Sequence, residues 1–352
     1  MEVIDRLEKE KKELEELRLK HQEILAKKEV LLDIDNLKIH FDVGGPDKLK
    51  AVDGITFKIY KGETFGLVGE SGCGKTTAGK ATLGHYKPAE GSVHYKGRDI
   101  NSLRSKKEIL QYKSESQMIF QDPYASLDPR MTVDEIIQEG LTVHYPKMSK
   151  AERSDVVTKL LQMVGLNPEH GARFPHELSG GQRQRIGISR ALAINPEYIV
   201  CDEPISALDV SIQAQIVNIL NRLKWERGLT YLFISHDLSM VQHISDRIGV
   251  MYLGNMMEIT SNKKLFDKPL HPYTQALISA IPIADKDYDQ RELIKLEGEI
   301  PSPVNPPSGC VFSTRCRHCF DKCTKVKPVL REIEEDHFVA CHLYDDQEEV
   351  VE

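Results

Sequence analysis

Apolar and polar residues alternate strictly at Leu37, Ile39, Phe41 and Val43, and again at Ile55, Phe57 and Ile59. A period of two belongs to half-buried antiparallel strands, and Gly44-Gly45-Pro46-Asp47 supplies a turn between them. Val93 and Tyr95, set between Gly91 and Gly97, predict a third strand of the same kind. Elsewhere the apolar runs are unbroken, as in strands buried on both faces: Thr64-Phe65-Gly66-Leu67-Val68, Met118-Ile119-Phe120, Tyr198-Ile199-Val200-Cys201 and Tyr231-Leu232-Phe233-Ile234. From 122 to about 178 the period turns helical. Thr132-Val133-Asp134-Glu135 and Ser149-Lys150-Ala151-Glu152 are capping boxes, and the stripe Val156, Val157, Leu160, Leu161 and Val164 stops at Gly165. Residues 2–29 mix charges of both signs; Leu7, Leu14, Leu17 and Ile24 fall near heptad spacing, but Glu10 and His21 interrupt the seam. That predicts an exposed helix, with a coiled-coil partner as the alternative.

Composition narrows the class. The chain has 352 residues, enough for one large domain or two of ordinary size. Charged residues make up 29%, and a net charge of -7 gives no bias toward nucleic acid. No apolar run approaches the roughly 18 residues of a membrane span, and the first residues carry no signal-peptide core. The expectation is a cytosolic chain whose membrane role, if it has one, is exerted through partners. Cysteine usage is lopsided: Cys73 and Cys201 precede residue 300, while Cys310, Cys316, Cys319, Cys323 and Cys341 crowd the tail. In a reducing cytosol such a cluster reads as a metal site before it reads as disulfides.

Directly after the Thr64–Val68 run comes Gly69-Glu70-Ser71-Gly72-Cys73-Gly74-Lys75-Thr76, then Thr77, which fits G-x-x-x-x-G-K-S/T. A strand that turns through three glycines into a helix aims a row of backbone N–H groups at one spot, with a helix N-terminus behind them. Such a spot suits phosphate. Lys75 adds a point charge for the β and γ phosphates, and the Thr76 hydroxyl can ligate Mg²⁺. Leu178-Ser179-Gly180-Gly181-Gln182 opens a second helix and forms another anion cradle, this time without a lysine. The Tyr198–Cys201 run ends in Asp202-Glu203, two carboxylates that can divide the work: Asp202 on Mg²⁺, Glu203 polarising the attacking water. Gln121 ends one short strand, Ser206-Ala207-Leu208-Asp209 follows the carboxylates, and His236 ends another strand. Taken singly, Gln121, the Asp-Glu pair and His236 would each be ordinary loop or surface residues.

In this order and spacing the motifs resemble those of the ATP-binding cassette (ABC) ATPases, over residues 32 to about 260. The resemblance implies an α/β P-loop NTPase fold with an antiparallel β subdomain and a helical subdomain at about 122–178, within an ATPase domain at 31–262. It further implies a head-to-tail pair of cassettes, in which the Ser179-Gly180-Gly181-Gln182 cradle of one closes on the γ-phosphate held by the other. Gln121 then ligates Mg²⁺ and senses the membrane partner, Glu203 is the general base, His236 contacts the γ-phosphate, and Asp209 lines the seam. Phe41 matches the aromatic position that stacks on adenine, although it also reads as a strand core residue.

The stretch Phe120-Gln121-Asp122-Pro123-Tyr124-Ala125-Ser126-Leu127-Asp128-Pro129-Arg130 resembles the ATP-binding subunits of oligopeptide and dipeptide importers. His271-Pro272-Tyr273-Thr274-Gln275-Ala276-Leu277 and the proline-rich 301–309 resemble their C-terminal extension, here 263–352; the charged helix at 1–30 departs from that pattern. The implied partners are a second ABC ATPase subunit, two transmembrane permeases and an extracellular substrate-binding protein, at the cytoplasmic face of the membrane. Nickel or another small solute is the alternative cargo, and a soluble regulator with a redox- or iron-sensing cysteine cluster is the alternative class. The last 52 residues look too few and too polar to bury a core unaided, so a metal staple is expected. Cys310, Cys316, Cys323 and Cys341 fit the four-cysteine tail for which the resemblance implies a [4Fe-4S] cluster. Cys319 leaves structural zinc open, because Cys316-x-x-Cys319 and Cys319-x-x-x-Cys323 also have zinc spacing, and free or disulfide-linked cysteines are the remaining alternative.

Overall fold

The computed structural model describes residues 2–45, 47–206, 208–281 and 293–349, and within them the side chains from residue 12 to residue 345. Pro46 of the expected turn, Ala207 of the Ser206-to-Asp209 stretch, and the Leu7 and Glu10 side chains lie outside these described residues. In chain order the helices are α1 (Glu2–Ala26), α2 (Lys75–Thr82), α3 (Lys106–Glu115), α4 (Val133–His144), α5 (Lys150–Met163), α6 (Gly180–Leu192), α7 (Val210–Arg227), α8 (Leu238–Ile244), α9 (Asn262–Asp267), α10 (Pro272–Ser279) and α11 (Asp321–Lys325). The strands are β1 (Val30–Asp42), β2 (Lys48–Tyr60), β3 (Thr64–Val68), β4 (Glu90–Tyr95), β5 (Arg98–Asp99), β6 (Ser116–Ile119), β7 (Tyr198–Asp202), β8 (Thr230–Ser235), β9 (Arg247–Tyr252), β10 (Asn255–Ser261), β11 (Arg331–Glu334) and β12 (His337–Val339). No helix among the described residues is long and apolar enough to cross a membrane. The chain forms two compact units: residues 1–31, 59–63 and 102–233, and residues 32–58, 64–101 and 234–352.

The second unit carries the alternating strands in a sheet of order β2-β1-β4-β5. Its β1 changes phase part-way: Leu32 and Ile34 are buried, then Leu37 and Ile39. The odd step is a bulge. Register with β4 slips between Asp35 and Lys38, and Asn36 takes φ of +44°. Opposite it Gly91 leaves the needed room, since a Cβ there would lie 2.1 Å from the Asn36 carbonyl oxygen. The alternation starting at Leu37 is thus the second half of a strand that begins at Val30. Val93 and Tyr95 pair with Ile34 and Leu32, as a third antiparallel strand should.

The same unit holds the order β11-β12-β10-β9-β3. β3 runs parallel to β9, from Phe65 opposite Arg247 to Val68 opposite Val250, and all five of its residues are buried. β10 is antiparallel to β9 and to β12, with Glu258 opposite Val339 and Ile259 opposite Phe338. The tail therefore needs no core of its own: it adds two short strands to the edge of β10 and buries Val311, Phe312, Val339 and Ala340. Both strands are too short to announce themselves as periodic runs.

In the first unit β6 lies parallel to β7, and α4, α5 and α6 pack on one another. Capping boxes start α4 at Thr132 and α5 at Ser149, and Gly165 at φ +74° follows the end of α5. α1 is helical as its charges suggested, but it packs against α7. His21, which reads as a break in the heptad seam, is buried, and it lies over Gly62 together with Ile24: a Cβ on Gly62 would meet the two at 3.2 and 3.4 Å.

Candidate functional site

The phosphate loop lies in the second unit, between β3 and α2. Gly69, Gly72 and Gly74 all have positive φ, of +152°, +77° and +102°. At two of them space as well as conformation excludes a side chain, because a Cβ on Gly69 would sit 2.1 Å from the Met251 carbonyl oxygen and one on Gly74 2.0 Å from that of Ala51. Lys75 is buried, and its ammonium donates to the carbonyls of Gly69 at 2.8 Å and Glu70 at 3.0 Å. Ser71 and Gly72 are exposed, while Thr76 and Thr77 at the start of α2 are half-buried. Backbone N–H groups behind glycines, an inward lysine and a helix start make a cradle for an anion of phosphate size.

Also in this unit, His236 is exposed just past β8, where Ser235 and Asp237 shape the turn: Ser235 Oγ accepts the Asp237 N–H at 3.0 Å, and Asp237 caps α8 through Ser239. Phe41, half-buried, meets the Tyr86 ring edge-on at 5.2 Å.

The first unit brings together Gln121 and Glu203, 82 residues apart in sequence: the Gln121 amide donates to the Glu203 carboxylate at 2.9 Å. Glu203 has φ of +42°, a conformation that non-glycine residues adopt at a cost of about 1–3 kcal/mol. Asp202 is buried at the end of β7. Ser179 caps α6, accepting the Gln182 N–H at 3.3 Å while the Gln182 side chain accepts the Ser179 N–H at 2.9 Å. Ser179 and Gly180 are exposed. Gly181 is required by contact, since a Cβ there would come 2.7 Å from Ile212. Asp209 is exposed at the start of α7.

Some contacts gave no sequence signal. Arg190 lies over the Phe120 ring at 5.4 Å and reaches the Ser126 carbonyl, while Arg183 lies over Tyr124 at 5.1 Å, so α6 holds the loop that follows Gln121. In the second unit Glu70 takes a bidentate ion pair from Arg315 and gives its N–H to Tyr273. Tyr273 belongs to the His271–Leu277 stretch, so a pattern legible as a resemblance has a physical role.

Burial pushes the Cys310 thiol up to about 12 and Cys341 to about 11, and Cys316 is raised for the same reason. Each is raised further by neighbouring cysteines: Cys310 by Cys341, Cys323 and Cys316, and Cys341 by Cys316 and Cys323. The four thiols therefore share one neighbourhood, tied by the Cys310 N–H on the Cys323 carbonyl at 2.7 Å. Among the described residues, no three His, Cys, Asp or Glu side chains converge as ligands of a single metal ion. Cys319 is exposed beside Cys323.

Residues 52–206 match the family model described as ABC transporter, and 257–323 match the oligopeptide/dipeptide transporter C-terminal region. Over 89% of its length the chain is 62% identical to YkfD of Bacillus subtilis, covering 95% of that protein. It is 52% identical over 91% to the oligopeptide transport ATP-binding protein AppF of the same organism, covering 99% of it. It is 50% identical over 90% to the oligopeptide transport ATP-binding protein OppF of Salmonella typhimurium, covering 97% of it. Among solved structures, the dimeric ATP-binding cassette MJ0796 bound to ADP and Pi superposes with a TM-score of 0.60 at 29% identity, over 66% of this chain and 98% of that one. The fold and the loop thus define an ATP-binding cassette of the ABC transporter class. Within that class the chain belongs to the oligopeptide/dipeptide transporter family, as an ATP-binding subunit and ATPase.

Proposed function

We propose that this chain binds MgATP and hydrolyses it to power a peptide importer. The observation that carries the reading is the phosphate cradle itself, whose Gly69 and Gly74 have no room for a side chain and whose Lys75 is already turned inward. Gly69, Glu70, Ser71, Gly72, Cys73, Gly74, Lys75, Thr76 and Thr77 form the cradle for the phosphates, and Phe41 takes the adenine. A hydroxyl at Thr76, the amide of Gln121 and the buried carboxylate of Asp202 are the hard oxygen donors that Mg²⁺ selects; the ion supplies neutralising charge on the β and γ phosphates. Glu203 accepts the proton of the attacking water and is oriented by Gln121. His236 contacts the γ-phosphate.

Completion of the site is assigned to a second cassette, whose Ser179, Gly180, Gly181 and Gln182 close on that phosphate while Asp209 lines the seam. The partners are a related ATPase subunit, two permeases and an extracellular receptor, and the chain works at the cytoplasmic face of the membrane. In the tail, Cys310, Cys316, Cys323 and Cys341 are assigned to a [4Fe-4S] cluster. Four neighbouring thiols, two buried and two half-buried, fit a group that binds them as thiolates, and a four-iron cluster holds its thiolates farther apart than one zinc ion would. A brown anaerobic preparation with about four iron atoms per chain supports this assignment; a colourless one containing zinc refutes it.

The test of the main reading pairs two variants. Lys75→Ala should lose MgATP binding, whereas Glu203→Gln should bind MgATP with turnover lowered by roughly 100- to 10,000-fold. Full turnover in Glu203→Gln would remove Glu203 as the base. For the cargo, a strain lacking the chain should lose uptake of labelled oligopeptides; loss of nickel uptake with peptide uptake intact would reassign it.

A further inference from the structure

The C-terminal extension holds the phosphate loop at Glu70, through the backbone N–H and the carboxylate of that residue. The Glu70 N–H donates to the Tyr273 hydroxyl at 2.9 Å. Its carboxylate accepts both arms of the Arg315 guanidinium, at 2.7 and 3.2 Å. Its carbonyl accepts the Lys75 ammonium at 3.0 Å. The residue that fixes one side of the phosphate-binding lysine is thus itself fixed by two residues of the extension.

The clamp stands on a rigid base. Tyr252, Tyr273 and Phe312 pack ring on ring with centroids 4.9 to 5.3 Å apart, and Arg315 also reaches the Tyr252 hydroxyl at 3.4 Å. Arg315 is only 7% exposed and Glu70 25%, so this is a desolvated, bidentate pair and not a surface ion pair of little worth. From the loop's other flank, Cys73 accepts the Gly254 N–H at 2.9 Å, and Gly254 in turn accepts the Asp53 N–H at 2.8 Å. Lys327 of the extension holds Asp53 through its carbonyl at 3.0 Å and its carboxylate at 3.3 Å.

A phosphate loop binds tightly because its donors are aimed before the anion arrives, and ordering them during binding would lower affinity. We propose that Arg315 is a positioning residue for MgATP: through Glu70 the extension holds the phosphate loop and Lys75 in binding geometry. This rests on the nucleotide reading above and adds to it a task for the extension. Arg315 lies between Cys310 and Cys316, so the folded cysteine segment sets where the guanidinium sits.

The test uses the full chain, with MgATP affinity measured by titration calorimetry and steady-state hydrolysis measured alongside. Arg315→Ala and Glu70→Gln should each weaken MgATP about tenfold, with the double variant no worse than either, as coupled residues behave. KM should rise more than kcat falls, and Arg315→Lys should recover part of the loss. Thermal melting checks folding; where Arg315→Ala does not fold, Glu70→Gln decides, since it leaves the extension unchanged. Folded variants that bind MgATP like the wild type, or losses that add, would overturn the clamp. A wild type that Lys75→Ala does not weaken would overturn the nucleotide reading, and the clamp with it.

Discussion

At the scale of single residues, conformations that cost free energy and buried polar groups mark the places where packing alone does not explain the choice. Glu203 sits at positive φ immediately after a fully buried strand, and its carboxylate accepts the Gln121 amide. Gly74 illustrates the converse: Gly74→Ala must displace the Ala51 carbonyl or abandon the loop's φ, so MgATP titration should find no binding while far-ultraviolet dichroism stays unchanged. His271 is a different case. Its Nδ1 accepts the Tyr273 N–H at 3.0 Å, so it must stay neutral, and burial pulls its pKa from 6.5 down to about 4. Unfolded chains take up that proton first, so the contribution is complete above about pH 6.5 and lost as pH falls toward 4, by about 3 kcal/mol in all. Urea midpoints should therefore fall more steeply across that window in the wild type than in His271→Gln; equal slopes would contradict the assignment.

At the scale of elements, α6 carries two demands on one residue. Ser179 caps the helix through Gln182 and is also the proposed donor to a neighbouring γ-phosphate. Ser179→Ala should cost about 1 kcal/mol of stability by denaturant titration, while hydrolysis in the assembled transporter falls far more than that loss explains. A drop in activity no larger than the unfolded fraction would leave Ser179 a cap and nothing else. Most elements were legible because their signals are local: the β3 run, the boxes at Thr132 and Ser149, and the alternation of β1 and β2 each lie within a few adjacent residues. What escaped depends on distant partners. The bulge at Asn36 hid the first half of β1, and β11 and β12 read as polar tail because each is very short and β12 finds its place on β10, some eighty positions away. His21 broke a heptad only on paper, since its burial depends on a glycine forty-one residues on. Likewise the loop was plain at Gly69 to Thr76, but Arg315, 245 residues from Glu70, was not.

At the scale of the whole molecule, the tail is part of the cassette's own sheet. β12 covers the edge of β10 and brings a buried pair with it, His337 on Glu258 at 2.7 Å, whose carboxylate also accepts the N–H groups of Leu270 and His271. These three hydrogen bonds offset the cost of burying the acid, which an unpaired carboxylate there would not recover. The proposed ATP-binding task, by contrast, extends beyond one chain: in that reading a lysine-bearing cradle and a serine-bearing cradle serve one triphosphate when two cassettes meet. Trapped ADP-vanadate tests this most directly, because irradiation cuts backbone lying against the γ-phosphate position. In the transporter purified from membranes and trapped with MgATP and vanadate, this chain should be cut both within Gly69 to Thr76 and at Ser179. Cutting confined to the phosphate loop, with Ser179 intact under full trapping, would contradict the account.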